Sequence, residues 1–425
     1  MDQFVIEGGH ALQGEVDILG VKNGLLPMMA AALLARSGET VLHNVPNLSD
    51  VDTMAKVLEG LGATVRHDRD TRTLIIDASW ISSHIAPYEY VKQMRASFLV
   101  IGPLLGRIHQ AEVSQPGGCS IGVRSVNLHV EGLQKLGAVI TEDNGNILAS
   151  TSGLRGATVY FDTPTHTGTE NIIMAACLAK GVTTIVNAAC EPEIVDLALM
   201  LKQMGARITG EGTPHITIEG VDRLHGVEYT VMPSRIETAF FLGACAAAGG
   251  EIIINRGCPA HIGIVIDKLQ QMGVTIKDLG KGRLQVKKKN RLRAVSFSTR
   301  PYPGFPTDFQ AQMMVLQTTA RGTSIIDETI FENRFRHVPE LVRMGANIES
   351  TYSKAVVIGV DTLRGCPVMA SDLQAGAGLV TAALAAEGTT TVDRIYHVDR
   401  GYEWLETRLA PLGAVISRVN NKVMA

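Results

Sequence analysis

The 425-residue sequence predicts an α/β protein of two domains, each assembled from three copies of one repeated unit, six copies in all. Three observations lead to this class. A tripeptide of the Leu/Met-Gly-Ala/Val type closes an amphipathic stretch six times, as LEGLGATV, LQKLGAVI, LKQMGARI, LQQMGVTI, LVRMGANI and LAPLGAVI. A second stretch rich in Ala, Leu and Met lies upstream of each copy, as in MMAAALLARSGETVLHNV, IIMAACLAKGVTTIVNA and TAALAAEGTTTVDRI. The length exceeds what one ordinary hydrophobic core serves, so the copies must be shared between domains.

The glycines of the six copies are Gly62, Gly137, Gly205, Gly273, Gly345 and Gly413, spaced 75, 68, 68, 72 and 68 residues apart, a regularity that marks true repeats. Each glycine fits the left-handed position just past a helix, and the β-branched residues that follow start a strand. The Ala-rich stretches carry small residues on nearly all faces, which predicts helices buried on every side and packed closely on their neighbours. Each unit therefore reads helix, strand, loop, amphipathic helix, then further strands.

The chain ends group the units. HITIEGVDRLHG and VVIGVDTLRG follow inner repeats, and FVIEGGHALQG at the N-terminus matches them, while nothing comparable follows the last repeat. The N-terminal segment is thus expected to close the sixth unit. This predicts a domain of residues 22–229, carrying units one to three, and a second of residues 1–21 plus 230–425. The chain would cross between them twice, leaving a cleft governed by two hinge strands.

Composition narrows the function. Hydrophobic residues make up 45% and charged residues 19%, a normal globular balance. A formal net charge of -3 supplies no broad positive field for a nucleic-acid backbone, so no nucleic-acid partner is expected and any anion site must be local. The basic run Lys287 to Arg293 is expected to be a solvated loop or strand end. The opening MDQFVIEGG has acids where a secretory signal needs bases, and the longest apolar run, Met28 to Ala35, falls far below the ~18 residues of a membrane span; a cytoplasmic protein with no membrane partner is expected. Six scattered cysteines show neither CxxC pairing nor zinc spacing, so no disulfide framework and no metal site is expected.

Polar residues gather at the start of each small-residue helix, where free backbone N–H groups and the helix dipole attract anions. They are Lys22 and Asn23; Arg95 and Ser97; Thr169, Glu170 and Asn171; Arg235 and Glu237; Thr307 and Asp308; Asp372 and Gln374. The acids and amides serve equally as helix caps, worth ~1 kcal/mol each. A lysine or arginine at a helix start opposes the dipole and calls for a compensating anion. If equivalent helices point alike, these ends converge on one face per domain and suit a highly anionic ligand.

Several segments taken together resemble the UDP-N-acetylglucosamine 1-carboxyvinyltransferases: GVKNGLLP, VKQMRASF, PGGCSIGVR, EPEIVD, FPTDFQAQ, FENRFRHVPEL and DRIYHVDRGYE. The resemblance runs from residue 1 to about 415, and it implies two inside-out α/β domains of three units each, the enolpyruvyl transferase fold shared with the enolpyruvylshikimate-phosphate synthases. The implied activity moves the enolpyruvyl group of phosphoenolpyruvate to the 3-hydroxyl of UDP-N-acetylglucosamine, the first committed step of peptidoglycan synthesis. That chemistry breaks a C–O rather than a P–O bond, so it requires no metal clamp on the phosphoryl group, and no cofactor is expected.

The resemblance also assigns residues. Cys119 sits between two glycines and Arg124; taken alone it would more often be an inert buried thiol, but a glycine-loosened loop with a nearby cation suits a reactive thiolate. By resemblance it protonates or captures phosphoenolpyruvate and is the residue fosfomycin alkylates. The catalytic set implied is Cys119, Asp308, Lys22 and Arg400, with Asp308 taking the proton of the sugar hydroxyl. Phosphoenolpyruvate would meet Lys22, Asn23, Arg124, Arg334 and Arg400, with Arg334 on its carboxylate. The sugar nucleotide would meet Asn23, Arg95, Arg124, Ser125, Val126, Asn127, Leu128, Thr163, Thr165, His166, Asp308 and Ile330.

Three positions depart from the family. Gln374 stands where an arginine is usual, which removes a charge-assisted partner of ~2 to 3 kcal/mol unless a neighbour replaces it. Ser125 and Asn127 replace a proline and an aspartate, and Leu99 replaces a tryptophan. Two alternatives stay open: a diverged enolpyruvyl transferase acting on another nucleotide or nucleotide sugar, and a silent paralogue that binds UDP-sugars. Retention of Cys119, Asp308, Lys22 and Arg400 together speaks for catalysis, because a pure binder has no use for the thiol.

Overall fold

The computed structural model describes residues 2–115, 122 and 126–420. Among them the chain divides into two compact units: unit I holds residues 20–115 and 126–232, and unit II holds residues 2–19, 122 and 233–420. Each has its own apolar core.

In both units the sheets lie outside and three helices lie inside. The inner helices of unit I are α1 (Lys22–Ala31), α2 (Ile101–Ile108) and α3 (His166–Ala176); those of unit II are α4 (Arg235–Ala248), α5 (Gln310–Thr318) and α6 (Leu373–Ala385). They are buried along almost their whole length and pack on one another within their unit, as the small residues predict. Gly102 shows how tight the fit is: a Cβ there would lie 2.3 Å from Asn171 Oδ1 and 2.5 Å from the Asn171 carbonyl oxygen.

Five of the six inner helices lead to an inner strand of a four-stranded outer sheet, and α2 leads to Gln110–Ser114 at the edge of a three-stranded one. In the third repeat that strand, Val182–Val186, pairs parallel with Thr158–Tyr160 before α3 and antiparallel with His215–Glu219, which in turn pairs with Arg207–Thr209. Its burial alternates, apolar side inward, as a sheet covered on one face requires. The second repeat has a three-stranded sheet, and the fourth place holds an isolated parallel bridge between Ile85 and Glu112. The six repeat glycines all follow an outer helix at φ between 91° and 107°, the left-handed value that lets the chain reverse into the next strand.

Two strands cross between repeats and close each unit. Leu12–Asp17 precedes α1 yet pairs parallel with Gly250–Asn255 of unit II, and Glu228–Thr230 precedes α4 yet pairs parallel with Thr40–His43 of unit I. Asp2–Glu7 lies between Thr389–Asp393 and Val415–Asn420, the place that His215–Glu219 fills in the third repeat. Among the described residues no helix is long and apolar enough to cross a membrane.

The helix contact predicts a contrast. Gly102→Ala should lower unfolding stability by about 1–3 kcal/mol in urea titrations, because backbone and Asn171 must both retreat. Gly106→Ala, whose Cβ would meet its nearest atoms at 3.5 Å, should change stability little.

Candidate functional site

Polar residues stand at or near the starts of inner helices in both units.

In unit I, Lys22 is the first residue of α1 and Asn23, exposed, the second. Lys22 Nζ donates to Asp50 Oδ2 at 3.0 Å, and Asp50 is almost wholly buried at the start of the outer helix Ser49–Gly60. The anion that a lysine at a helix start demands is thus supplied within the protein, and the ammonium is held in place by it. Arg95 opens a 3-10 turn, Arg95–Val100, ahead of α2. Val126 and Leu128 are half-buried, Leu128 against the core, while Asn127 is exposed and donates to Glu131 at 3.3 Å. Thr163 is exposed, Thr165 caps α3 by accepting from the Gly168 N–H at 3.2 Å, and His166 is the first helical residue. Cys119, Arg124 and Ser125 lie outside the described residues.

One expectation is corrected. Thr169, Glu170 and Asn171 do not begin their helix; α3 starts at His166 because Thr165 is the cap, so these three occupy its second turn and are fully buried. Asn171 Oδ1 accepts from the Gly102 N–H at 2.8 Å and its Nδ2 reaches His129 Nδ1 at 3.0 Å, which ties α3 to α2 and to the outer helix Asn127–Lys135. Burial, assisted by Arg95, pushes His129 down to about 3, so its ring is neutral. Glu170 lies within reach of His166 and is pushed up to about 8, first by burial and then by Glu193 and Glu191.

In unit II, Asp308 sits in the turn Thr307–Phe309 ahead of α5 and pairs with Arg334 Nη2 at 3.1 Å. The carboxylate is about a third exposed, whereas Arg334 is buried and also donates to the Thr307 carbonyl at 3.2 Å. Glu328, not singled out by the sequence, organises this corner: Oε1 accepts from Thr299 Oγ1 and the Ile330 and Phe331 N–H groups, and Oε2 from Thr307 Oγ1. Ile330 thereby has its N–H committed and offers its carbonyl for any backbone contact. Arg400 closes the turn Ile395–Arg400 and, after burial, is the largest influence holding His397 below the usual imidazole range. His337, wholly buried, is pushed down to about 4 by burial, with Asp372 opposing and Arg334 adding to the effect.

Gln374, at the family's arginine position, is held by neutral partners. Its Oε1 accepts from Gln312 Nε2 at 3.0 Å and from Tyr402 Oη at 3.1 Å, while Asp372 caps α6 through the Gln374 and Ala375 N–H groups. The amide is therefore part of a buried hydrogen-bonded layer between α5 and α6. Asp50 and Glu328 escaped sequence reasoning because no local pattern marks them; Gln312 and Tyr402 stand inside the segments FPTDFQAQ and DRIYHVDRGYE, but their hydrogen bonds to Gln374, distant in sequence, are visible only in the fold.

Comparison with known proteins gives this geometry its class. The family model for EPSP synthase (3-phosphoshikimate 1-carboxyvinyltransferase) matches residues 6–409. The enolpyruvyl transferase NikO from Streptomyces tendae superposes with a TM-score of 0.89 at 25% identity, covering 98% of this chain and 99% of that one. An EPSP synthase from Acinetobacter baumannii gives 0.76 at 17% identity over 99% of this chain and 100% of its own, a likeness of fold. Proteins named UDP-N-acetylglucosamine 1-carboxyvinyltransferase are 49% identical over 419 residues in Desulfatibacillum aliphaticivorans and 52% over 422 in Acinetobacter baylyi, each alignment covering 99% of this chain and 100% of the relative. The chain belongs to the EPSP synthase family of enolpyruvyl transferases, within the group of the UDP-N-acetylglucosamine 1-carboxyvinyltransferases.

Glu170 makes a stability test possible. A carboxyl whose folded pKa is raised contributes stability that is full below its unfolded value near 4.5 and is lost as pH rises through about 8. Glu170→Gln should therefore match the wild type near pH 4 and become progressively more stable than it from pH 5 to 8, read as a widening gap in Tm.

Proposed function

We propose that this protein transfers the enolpyruvyl group of phosphoenolpyruvate to the 3-hydroxyl of UDP-N-acetylglucosamine and releases phosphate. The observation that carries the proposal is identity of about half, over the full length of both chains, with proteins that bear that activity in their names.

The chemistry assigns work to each residue. The sugar O3 bonds to C2 of phosphoenolpyruvate while C3 gains a proton; then C3 loses a proton, the C2–O bond breaks, and phosphate leaves. Lys22, Arg124 and Arg400 neutralise the phosphate as it departs, and Arg334 serves the carboxylate, as stabilisation of developing charge requires. Asp308 takes the proton of the 3-hydroxyl; its pairing with Arg334 fixes its orientation. Cys119 supplies acid or nucleophilic chemistry at phosphoenolpyruvate. Asn23, Arg95, the 124–128 segment, Thr163, Thr165, His166 and Ile330 hold the sugar nucleotide. Such a reaction belongs in the cytoplasm, at the start of peptidoglycan synthesis, and so bears on cell shape and division.

A second acceptor is favoured by one observation: the exposed Asn127 amide, bonded to Glu131, presents a neutral group where the family presents an acid. A different uridine nucleotide as acceptor would reveal itself by a higher kcat/KM in a substrate panel.

Phosphate release assayed with both substrates tests the main proposal. Cys119→Ala and Asp308→Ala should each reduce it to near zero while UDP-N-acetylglucosamine still binds, and fosfomycin should block the wild type. Near-normal turnover in either variant removes that residue from its role, and no phosphate from the wild-type protein removes the proposed reaction.

A further inference from the structure

Arg418, on strand Val415–Asn420 of unit II, holds more partners than its place in a sheet requires. The strand is already fixed along its whole length by pairing with Asp2–Glu7. From that base the largely buried guanidinium makes a two-point contact with Asp399, Nη1 to Oδ2 at 3.0 Å and Nη2 to Oδ1 at 2.7 Å. It makes a second with Glu406, Nε to Oε1 at 2.6 Å and Nη2 to Oε2 at 3.3 Å. Asp2 stands 3.6 Å from Nη1, and the rings of Phe4 and Trp404 lie against the guanidinium. A planar fork held on two carboxylates at once has little freedom to turn.

Asp399 is the residue before Arg400. Both lie in the 3-10 turn Ile395–Arg400, which packs on the first turn of α6: a Cβ at Gly376 would lie 2.6 Å from Val398 Cγ2, and one at Gly401 2.7 Å from Leu373 Cδ2. On the far side of Arg400, Tyr402 is buried, and its Oη donates to Gln374 Oε1 at 3.1 Å. The Tyr402 and Gly401 N–H groups both donate to the Val398 carbonyl at 3.0 Å. Arg400 is therefore flanked by two tethers. Tyr402 alone leaves the preceding peptides able to pivot about it, and the pair of Asp399 with Arg418 removes that freedom.

We propose that Arg418 is a positioning residue for the reaction: through Asp399 it directs the Arg400 guanidinium at the phosphate that Arg400 neutralises. A cation lowers the barrier most when it already points at the developing charge, because reorientation during the reaction offsets part of the stabilisation. The inference rests on the proposal that Arg400 serves the phosphate of phosphoenolpyruvate.

Phosphate release at low phosphoenolpyruvate gives kcat/KM for a set of variants. Arg418→Ala and Asp399→Ala should each lower it about tenfold or more, the scale of a misplaced catalytic group. The two together should lose no more than the worse of them, since both break one pair. In an Arg400→Ala background Arg418→Ala should cause no further loss, a result that general weakening of the fold does not give. Should Arg418→Ala not fold, Asp399→Ala makes the same comparison, because it leaves Arg418 paired with Glu406. Equal losses with and without Arg400 overturn the inference, as does wild-type kcat/KM in the Asp399→Ala variant. Wild-type kcat/KM in Arg400→Ala alone overturns instead the role given to Arg400.

Discussion

Close packing among the inner helices is the constraint from which the rest of each unit follows. Backbones that approach as nearly as those of α2 and α3 at Gly102 leave no room for a side chain between them, which restricts how one helix can shift against the other. Functional groups mounted on the helix starts inherit that restriction.

The helix ends also explain why charge is handled differently in the two clusters. In unit I the cation at the start of α1 opposes the dipole, and a buried acid from a neighbouring helix offsets it. In unit II acids head α5 and α6, where the dipole favours them, and the cation Arg334 arrives from a different segment. Each arrangement leaves a locally neutral, oriented ion pair. Gln374 extends the theme: its hydrogen bonds to Gln312 and Tyr402 join neutral side chains in a buried layer.

The fold class was legible because its determinants are local and repeated. A left-handed glycine after an amphipathic helix is written in a tripeptide, and a helix of alanines with no polar face can only be interior. What the sequence concealed was partnership. Asp50 lies 28 residues from Lys22 with nothing to mark it, and Glu328 looks like any strand-end acid until its four hydrogen bonds are seen. The start of α3 was misplaced for a related reason: the small polar run from Thr165 to Asn171 offers several plausible caps, and tertiary contacts of Asn171 select Thr165. The motifs that named the family located Lys22, Asp308, Arg334 and Arg400 without showing which neighbours hold them.

The placement of Asp2–Glu7 between strands 389–393 and 415–420 has a consequence for synthesis on the ribosome. Unit I is complete once residue 232 has emerged, so it can fold during translation, whereas the first strand of unit II emerges earliest and its partners last. For most of translation that strand lacks the two neighbours that cover its edges in the finished sheet, so unit II closes only when the final repeat arrives.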